Sequence, residues 1–115
     1  MRILVIEDNA DIKEVLDYIL NDDGHEVIPC SDATPLNSLD TIKPDIILLD
    51  DILGGVRGST LCRELKDDEK TSSIPVILIS AMPNLKETAA KSGADAYIEK
   101  PFNVDELTGV IKRFA

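Results

Sequence analysis

Short apolar runs alternate along this chain with segments whose apolar residues recur at helical spacing, and this alternation restricts the fold more than any other feature. Five strand candidates follow one another at residues 3–6, 25–28, 46–49, 76–79 and 94–99. A segment with helical periodicity comes after each of them, at residues 12–20, 35–42, 59–66, 85–91 and 104–111. Strict alternation of this kind predicts an α/β domain in which helices cover both faces of a parallel sheet.

The composition of the strands predicts their order in the sheet. Strands that are buried on both faces of a parallel sheet are apolar at every position. The first, third and fourth strands have that character, whereas the second and fifth include charged residues such as Glu26 and Glu99 and belong at the edges. The resulting order 2-1-3-4-5 is that of the flavodoxin-like, doubly wound (βα)5 fold, whose ligands bind beyond the carboxyl ends of strands one and three.

Length and charge exclude several classes of protein. With 115 residues the chain is expected to form one domain, over residues 1–115. Its 22 acidic and 12 basic residues leave a formal charge of −10, which would repel a phosphate backbone, so we expect no direct binding to nucleic acid. No apolar run is long enough to cross a bilayer and no signal peptide opens the chain, so we expect a cytoplasmic protein without a membrane partner.

Cys30 and Cys62 have no CxxC spacing and are expected to be reduced thiols.

Acidic residues follow the two strands that border the predicted crevice. Glu7 and Asp8 end the first strand, and Asp50 and Asp51 end the third. Two unit charges about 5 Å apart repel each other by roughly 3 kcal/mol at an effective dielectric constant of 20. A hard divalent cation relieves this repulsion, and Mg²⁺ bound by carboxylates and water is the cofactor that we expect here.

A hydroxyl and an ammonium group follow the fourth and fifth strands. They belong to Ser80 and Lys100, which the predicted topology places beside the carboxylates. Together with a metal ion, these two groups suit a ligand with several anionic oxygens, such as a phosphoryl group. A carboxylate among them can be the nucleophile that forms an acyl phosphate.

The chain resembles the receiver domain of bacterial response regulators, the phosphorylated proteins of two-component signal transduction, along its entire length. The matching segments are Glu7-Asp8, residues 44–50, Ser80-Ala81 and residues 94–102. The spacings from Asp8 to Asp50, to Ser80 and to Lys100 are 42, 30 and 20 residues, and four motifs in this order are a specific combination.

The resemblance implies a phospho-acceptor and a set of metal ligands. Asp50 would accept the phosphoryl group from the phosphohistidine of a sensor histidine kinase or phosphotransfer protein. Asp8 and Asp50 would bind Mg²⁺ directly, Glu7 would bind it through water, and the backbone carbonyl of Ile52 would be a further ligand. Gly58, eight residues after Asp50, matches a glycine common in the family.

The resemblance also implies a switch. Lys100 would pair with Asp50 and then with its phosphate, and Ser80 would bond a phosphoryl oxygen and move when one arrives. Tyr97 would be the aromatic switch that turns inward as Ser80 moves. The signal would leave through the face formed by the fourth helix, the fifth strand and the fifth helix, and the Lys100–Pro101 peptide would be cis.

The resemblance implies a signalling switch in a phosphorelay, which catalyses its own phosphorylation and slow dephosphorylation, rather than a turnover enzyme. A downstream effector or an output domain would read its state, and phosphorylation would allow a homodimer to form. The alternatives are a receiver-like docking module that works without phosphorylation and, with less support, a flavodoxin-type electron carrier or a small-molecule phosphatase or phosphotransferase.

Departures from the family pattern follow the acceptor. Relatives usually carry an apolar residue directly after it, whereas this chain carries Asp51, which we expect either to add negative potential to the metal site or to be an alternative acceptor. Gly54 and Gly55 predict a mobile loop from Gly54 to Gly58. The segment from Ser80 to Lys100 is short for the family, which predicts a trimmed fourth helix or preceding loop.

Overall fold

The computed structural model describes residues 1–115 and contains a five-stranded parallel sheet flanked by helices. The strands are β1 (Arg2–Ile6), β2 (Glu26–Cys30), β3 (Ile46–Asp50), β4 (Ile52–Leu53), β5 (Val56–Arg57), β6 (Val76–Ser80) and β7 (Ala96–Glu99). The helices are α1 (Ala10–Asp22), α2 (Leu39–Ile42), α3 (Gly58–Asp67), α4 (Leu85–Ser92) and α5 (Val104–Lys112). The main sheet has the order β2-β1-β3-β6-β7, so the predicted order 2-1-3-4-5 is confirmed.

The three central strands are buried almost throughout, and the two edge strands are only partly buried. Every residue of β3 and of β6 is buried, while β2 is exposed at Glu26 and Pro29 and half-buried at its other positions. In register, Leu4 of β1 lies opposite Ile47 of β3, and Leu48 of β3 lies opposite Ile77 of β6. This burial on both faces is why the central strands are apolar at every position.

The sheet separates two hydrophobic cores of 12 buried residues each. Successive residues of a strand point to opposite faces, so Ile3 and Val5 join the core under α1 and α5, while Leu4 and Ile6 join the core under α3 and α4. The sheet is therefore held rigidly from both sides, and the ends of its strands are the positions left for polar chemistry.

Ion pairs and hydrogen bonds stabilise the end of the sheet at which its parallel strands begin. Arg2 lies 2.5 Å from the carboxylate of Glu26, and its backbone amide donates to Asp45 over 2.7 Å. Lys66 lies 2.7 Å from Asp95, which also accepts the backbone N–H of Val76. We name these contacts the amino-edge pairs.

Two segments differ from the elements that the sequence predicts. Instead of one helix over residues 35–42, a 3₁₀ turn at Thr34–Ser38 precedes the single-turn α2, because Thr, Asn and Ser are weak helix formers. Residues 52–57 form a hairpin that the sequence did not predict, with β4 and β5 paired antiparallel. Gly54 has φ 63° and Gly55 has no positive φ, the pattern of a type II′ turn, for which the first glycine is suited.

Asparagine side chains cap the starts of two helices, and a glycine ends a third. Asn9 accepts the N–H of Ile12 at the start of α1, and Asn103 accepts the N–H of Glu106 at the start of α5. Gly93 ends the eight-residue α4 with φ 76°. None of the helices combines the length and the apolar character that a membrane span requires. Both cysteines are free thiols.

Candidate functional site

Three carboxylates converge where β1 and β3 end. The register of these neighbouring strands places Ile6 beside Leu49, so the residues that follow face the same crevice. One carboxylate oxygen from each of Glu7, Asp8 and Asp50 lies within 4.8 Å of the others. Glu7 and Asp50 are buried, whereas Asp8 is exposed.

This cluster fits a hard divalent cation by the chemistry of its donors. All three groups offer carboxylate oxygens, the ligands that Mg²⁺ prefers. The exposed side of the cluster at Asp8 leaves room for the water molecules that Mg²⁺ usually keeps. The predicted metal residues Glu7, Asp8 and Asp50 are therefore brought together by the fold.

Lys100 supplies the positive charge of the crevice. Its Nζ donates to Glu7 Oε1 over 2.6 Å and lies 3.4 Å from Asp50 Oδ1. The resemblance pairs Lys100 with Asp50, so the shorter contact to Glu7 is a difference from the expected arrangement. The Lys100 side chain is only 16% exposed, and its ammonium lies close to two buried carboxylates. The Lys100–Pro101 peptide bond is cis, as expected.

The two buried carboxyls differ in acidity. Burial raises the pKa of Asp50 to about 7, and the neighbouring Glu7 carboxylate raises it as well, while Lys100 opposes both effects. Burial also works to raise the pKa of Glu7, but hydrogen bonds from Asp50, Lys100 and the Asn9 amide outweigh it and hold the pKa below its usual range. Without a metal ion, Glu7 is thus the ionised partner of Lys100, and Asp50 is partly protonated near neutral pH.

Ser80 and Lys100 are linked through the backbone. Ser80 ends β6 and is buried, and its Oγ accepts the N–H of Met82 over 3.0 Å. Its carbonyl accepts the backbone N–H of Lys100 over 2.9 Å. The segments after β6 and β7 are thereby joined directly beside the acidic cluster.

Of two further predicted site residues, Ile52 contacts the acidic cluster, whereas Tyr97 lies on β7 away from it. Tyr97 pairs with Leu78 in the β6–β7 register and packs, half-buried, against the core under α3 and α4. Ile52 begins β4, and its N–H donates to Asp50 Oδ1 over 3.4 Å. The hydrophobic side chain of Ile52 is exposed, as is that of Met82.

Asp51 does not join the acidic cluster, which corrects the expectation that it adds to the metal site. Its side chain is 1% exposed and its two oxygens are already bound: Oδ1 accepts the N–H of Ser59 over 2.8 Å, and Oδ2 lies 2.5 Å from Arg57 Nη2. Burial works to raise the pKa of Asp51, but these contacts outweigh it and lower the pKa. The side chain faces the start of α3 because successive residues leave a strand on opposite sides.

Two polar residues of this region were missed by reasoning from the sequence. Asn9 caps α1 and donates its N–H to Glu7 Oε2 over 3.2 Å, which fixes the orientation of that carboxylate. Arg57 neutralises Asp51. Arg57 is the sole basic residue between Asp51 and Gly58, and this local charge balance is the signal that could have identified it.

Comparison with known proteins places the chain in a family. Residues 3–112 match the family model described as the response regulator receiver domain. The chain therefore belongs to the response regulator receiver domain family of two-component systems, whose members are signalling switches. The assignment favours this reading over the electron carrier that the strand order alone would also permit.

Individual relatives agree with this assignment. The chain is 37% identical to the phosphate regulon transcriptional regulatory protein PhoB of Escherichia coli, over 96% of this chain and 50% of that protein. It is 34% identical to the DNA-binding dual master transcriptional regulator RpaA of Synechocystis, over 96% of this chain and 47% of that protein. The chain thus spans about half the length of the curated relatives it matches.

A solved structure agrees in fold. It is the receiver domain of a sensor histidine kinase from Pseudomonas aeruginosa, with 28% identity and a TM-score of 0.86, covering 98% of this chain and 95% of that one. That structure holds a magnesium ion coordinated in its active-site cleft.

Proposed function

We propose that residues 1–115 form a receiver module that accepts a phosphoryl group on Asp50 in the presence of Mg²⁺. The observation that carries this proposal is the convergence of Glu7, Asp8 and Asp50 within 4.8 Å, with the Lys100 ammonium beside them. A buried acceptor, open metal ligands and a cation for the phosphoryl oxygens are the groups that phosphoryl transfer to a carboxylate requires.

In the proposed reaction Asp50 is the nucleophile. A carboxylate oxygen of Asp50 forms a bond to phosphorus while the bond between phosphorus and the histidine nitrogen of the donor breaks. The electron pair of that bond stays on the imidazole, which takes up a proton as it leaves. Mg²⁺, held by Asp8, Asp50 and the Ile52 carbonyl directly and by Glu7 through water, would neutralise charge on the phosphoryl oxygens.

Lys100 and Ser80 are the groups that we propose respond to the phosphoryl group. Lys100 divides its charge between Glu7 and Asp50, so a dianionic phosphoryl group on Asp50 draws it toward the acceptor. Ser80 exchanges its bond with the Met82 N–H for one with a phosphoryl oxygen. The bond between the Ser80 carbonyl and the Lys100 N–H couples these two movements.

The signal is proposed to leave through the face formed by α4, β7 and α5. Tyr97 lies on β7 within this face and is half-buried, so an inward rotation would change the surface that a partner meets. Phosphorylation shifts the population toward the arrangement that binds the phosphoryl group better, and the change needs no turnover chemistry.

The partners follow from the proposed chemistry. The donor is a sensor histidine kinase or a phosphotransfer protein, and the receiver of the signal is an effector or an output domain. PhoB and RpaA are named as transcriptional regulators and are about twice as long as this chain. We propose that any contact with DNA belongs to an output domain, because the charge of −10 makes this module a poor ligand for DNA. Phosphorylation-dependent homodimerisation remains part of the proposal.

Intact-mass spectrometry after incubation with acetyl phosphate tests the proposal. We expect the wild type to gain one phosphoryl group only when Mg²⁺ is present, Asp50→Asn to gain none, and Asp51→Asn to keep the adduct. Loss of the adduct in Asp51→Asn alone would move the acceptor by one residue. Absence of both the adduct and Mg²⁺ binding in the wild type would favour a docking module that works without phosphorylation.

A further inference from the structure

The hairpin beside the acceptor is closed at its base by an ion pair. Asp51 directly precedes β4, Arg57 ends β5, and the two side chains meet at 2.5 Å. In the hairpin register, Ile52 lies opposite Arg57. The ion pair therefore joins the first and last residues of a seven-residue segment, residues 51–57, that contains Ile52.

The same aspartate also fixes the start of α3. Its side chain accepts the N–H of Ser59, and its carbonyl accepts the N–H of Gly58 over 2.7 Å. Gly58 packs so closely that a Cβ there would lie 2.1 Å from the carbonyl oxygen of Asp50. The acceptor, the hairpin and the start of α3 are thus held together through one buried carboxylate.

We propose that Arg57 is a positioning residue for the metal and phosphoryl site: by pairing with buried Asp51 it holds the hairpin so that the Ile52 carbonyl faces the acidic cluster. This inference rests on the proposed function. The Arg57 side chain forms an ion pair with Asp51 and not with Glu7, Asp8 or Asp50, so it acts through Asp51. Its side chain is 49% exposed, so it can be replaced without opening a cavity in either core.

The direction in which Mg²⁺ affinity changes when Arg57 is replaced distinguishes a positioning role from a purely electrostatic one. If Arg57 acted only as a nearby positive charge, its removal would strengthen Mg²⁺ binding, because the acidic site would become more negative. If Arg57 acts by positioning, its removal weakens Mg²⁺ binding. Loss of a group that orients a metal ligand typically costs about tenfold or more in affinity.

The test compares Arg57→Met with Arg63→Met by Mg²⁺ titration calorimetry and by the initial rate of phosphorylation from acetyl phosphate. Arg63 is the matched control, because it is an exposed arginine of α3 whose ion pair with Asp67 lies outside the site. We expect Arg57→Met to bind Mg²⁺ about tenfold more weakly, Arg63→Met to be unchanged, and Arg57→Lys to recover part of the affinity. At saturating Mg²⁺, the phosphorylation rate of Arg57→Met should return to within about twofold of the wild type.

Amide hydrogen exchange without metal provides a second measurement. Arg57→Met should speed the exchange of the Ser59 amide, whose acceptor loses its partner, and leave the central strand β3 protected. Unchanged or tighter Mg²⁺ binding in Arg57→Met would overturn the inference, and so would unchanged exchange at Ser59. If the wild type bound Mg²⁺ and gained the phosphoryl adduct while Arg57→Met matched it, the inference alone would fail. A wild type that did neither would overturn the proposed function and the inference with it.

Discussion

The ammonium of Lys100 donates to Glu7 over 2.6 Å, a shorter contact than the 3.4 Å that separates it from Asp50. In the absence of metal and phosphate, the single cation of the crevice is therefore paired mainly with Glu7 rather than with Asp50, the proposed acceptor. Asp50 has the longer contact with Lys100, which is one reason that burial and Glu7 raise its pKa to about 7.

We expect Asp50→Asn to stabilise the metal-free protein at high pH. Because the pKa of Asp50 is higher in the fold than in the unfolded chain, folding favours its protonated form, and stability is lost as pH rises from about 4 through about 7. Replacing the carboxyl by an amide removes this loss. The free energy of unfolding of the variant should therefore exceed that of the wild type by on the order of 2 kcal/mol near pH 8 and equal it near pH 4. Urea unfolding at both pH values measures this difference. The exposed Asp22→Asn is the control, and a gain independent of pH would contradict the expectation.

Mg²⁺ binding should release protons near neutral pH. With the pKa of Asp50 at about 7, the metal displaces about half a proton at pH 7 and almost none above about pH 8.5. Calorimetry in two buffers with different heats of ionisation gives this number directly. The apparent affinity should fall as pH drops below about 7, and an affinity flat between about pH 6 and 8 would mean that Asp50 is already ionised without metal.

We expect Lys100→Met to destabilise the fold and to abolish rapid phosphorylation while Mg²⁺ binding survives. The variant leaves the buried Glu7 carboxylate without its cation, a change that costs roughly 3 kcal/mol. Without the Lys100 ammonium, Mg²⁺ is repelled less in the crevice and should bind at least as tightly as it does to the wild type. Chemical unfolding and calorimetry measure the two effects against exposed Lys112→Met. Loss of Mg²⁺ binding in Lys100→Met would contradict the assigned roles.

Gly58→Ala and Gly109→Ala should have opposite effects on stability. A Cβ at Gly58 would meet the Asp50 carbonyl at 2.1 Å, so α3 or the acceptor strand must move, at a cost of several kcal/mol. Gly109 lies in α5 with open space around its Cβ position, and alanine there should stabilise by about 0.5–1 kcal/mol. Thermal unfolding reports both. A neutral Gly58→Ala would show that the contact with Asp50 is not rigid.

The lifetime of the proposed acyl phosphate should be long. Hydrolysis needs a water in line with phosphorus, and Ile52 and Met82, two residues beyond Asp50 and Ser80, present exposed hydrophobic side chains that cannot orient one. The double variant Ile52→Asn, Met82→Glu should lose phosphate faster, by about tenfold or more, as followed by mass spectrometry after removal of the donor. An unchanged rate would show that water access is controlled elsewhere.

Periodicity and strand character were sufficient to predict the sheet order and the meeting of Glu7, Asp8 and Asp50, because both depend on burial and topology. The hairpin at residues 52–57 was not predictable in this way. Two-residue strands carry no periodic signal, and Gly54-Gly55 indicated flexibility rather than a turn. The role of Asp51 was also missed: alternation along β3 places its side chain on the face of Ile47 and Leu49, but its contacts with Arg57 and Ser59 depend on the hairpin and on the position of α3.

The amino-edge pairs give the two edges of the sheet different chemical characters. Where the strands begin, two cations, Arg2 and Lys66, lie beside three acids, while at the other end of the strands three carboxylates face the single ammonium of Lys100. The larger formal excess of carboxylates over cations therefore lies at the end of the strands that carries Asp50. A small cation diffusing toward the domain is steered to that end before it makes any contact, and salt should slow its arrival there.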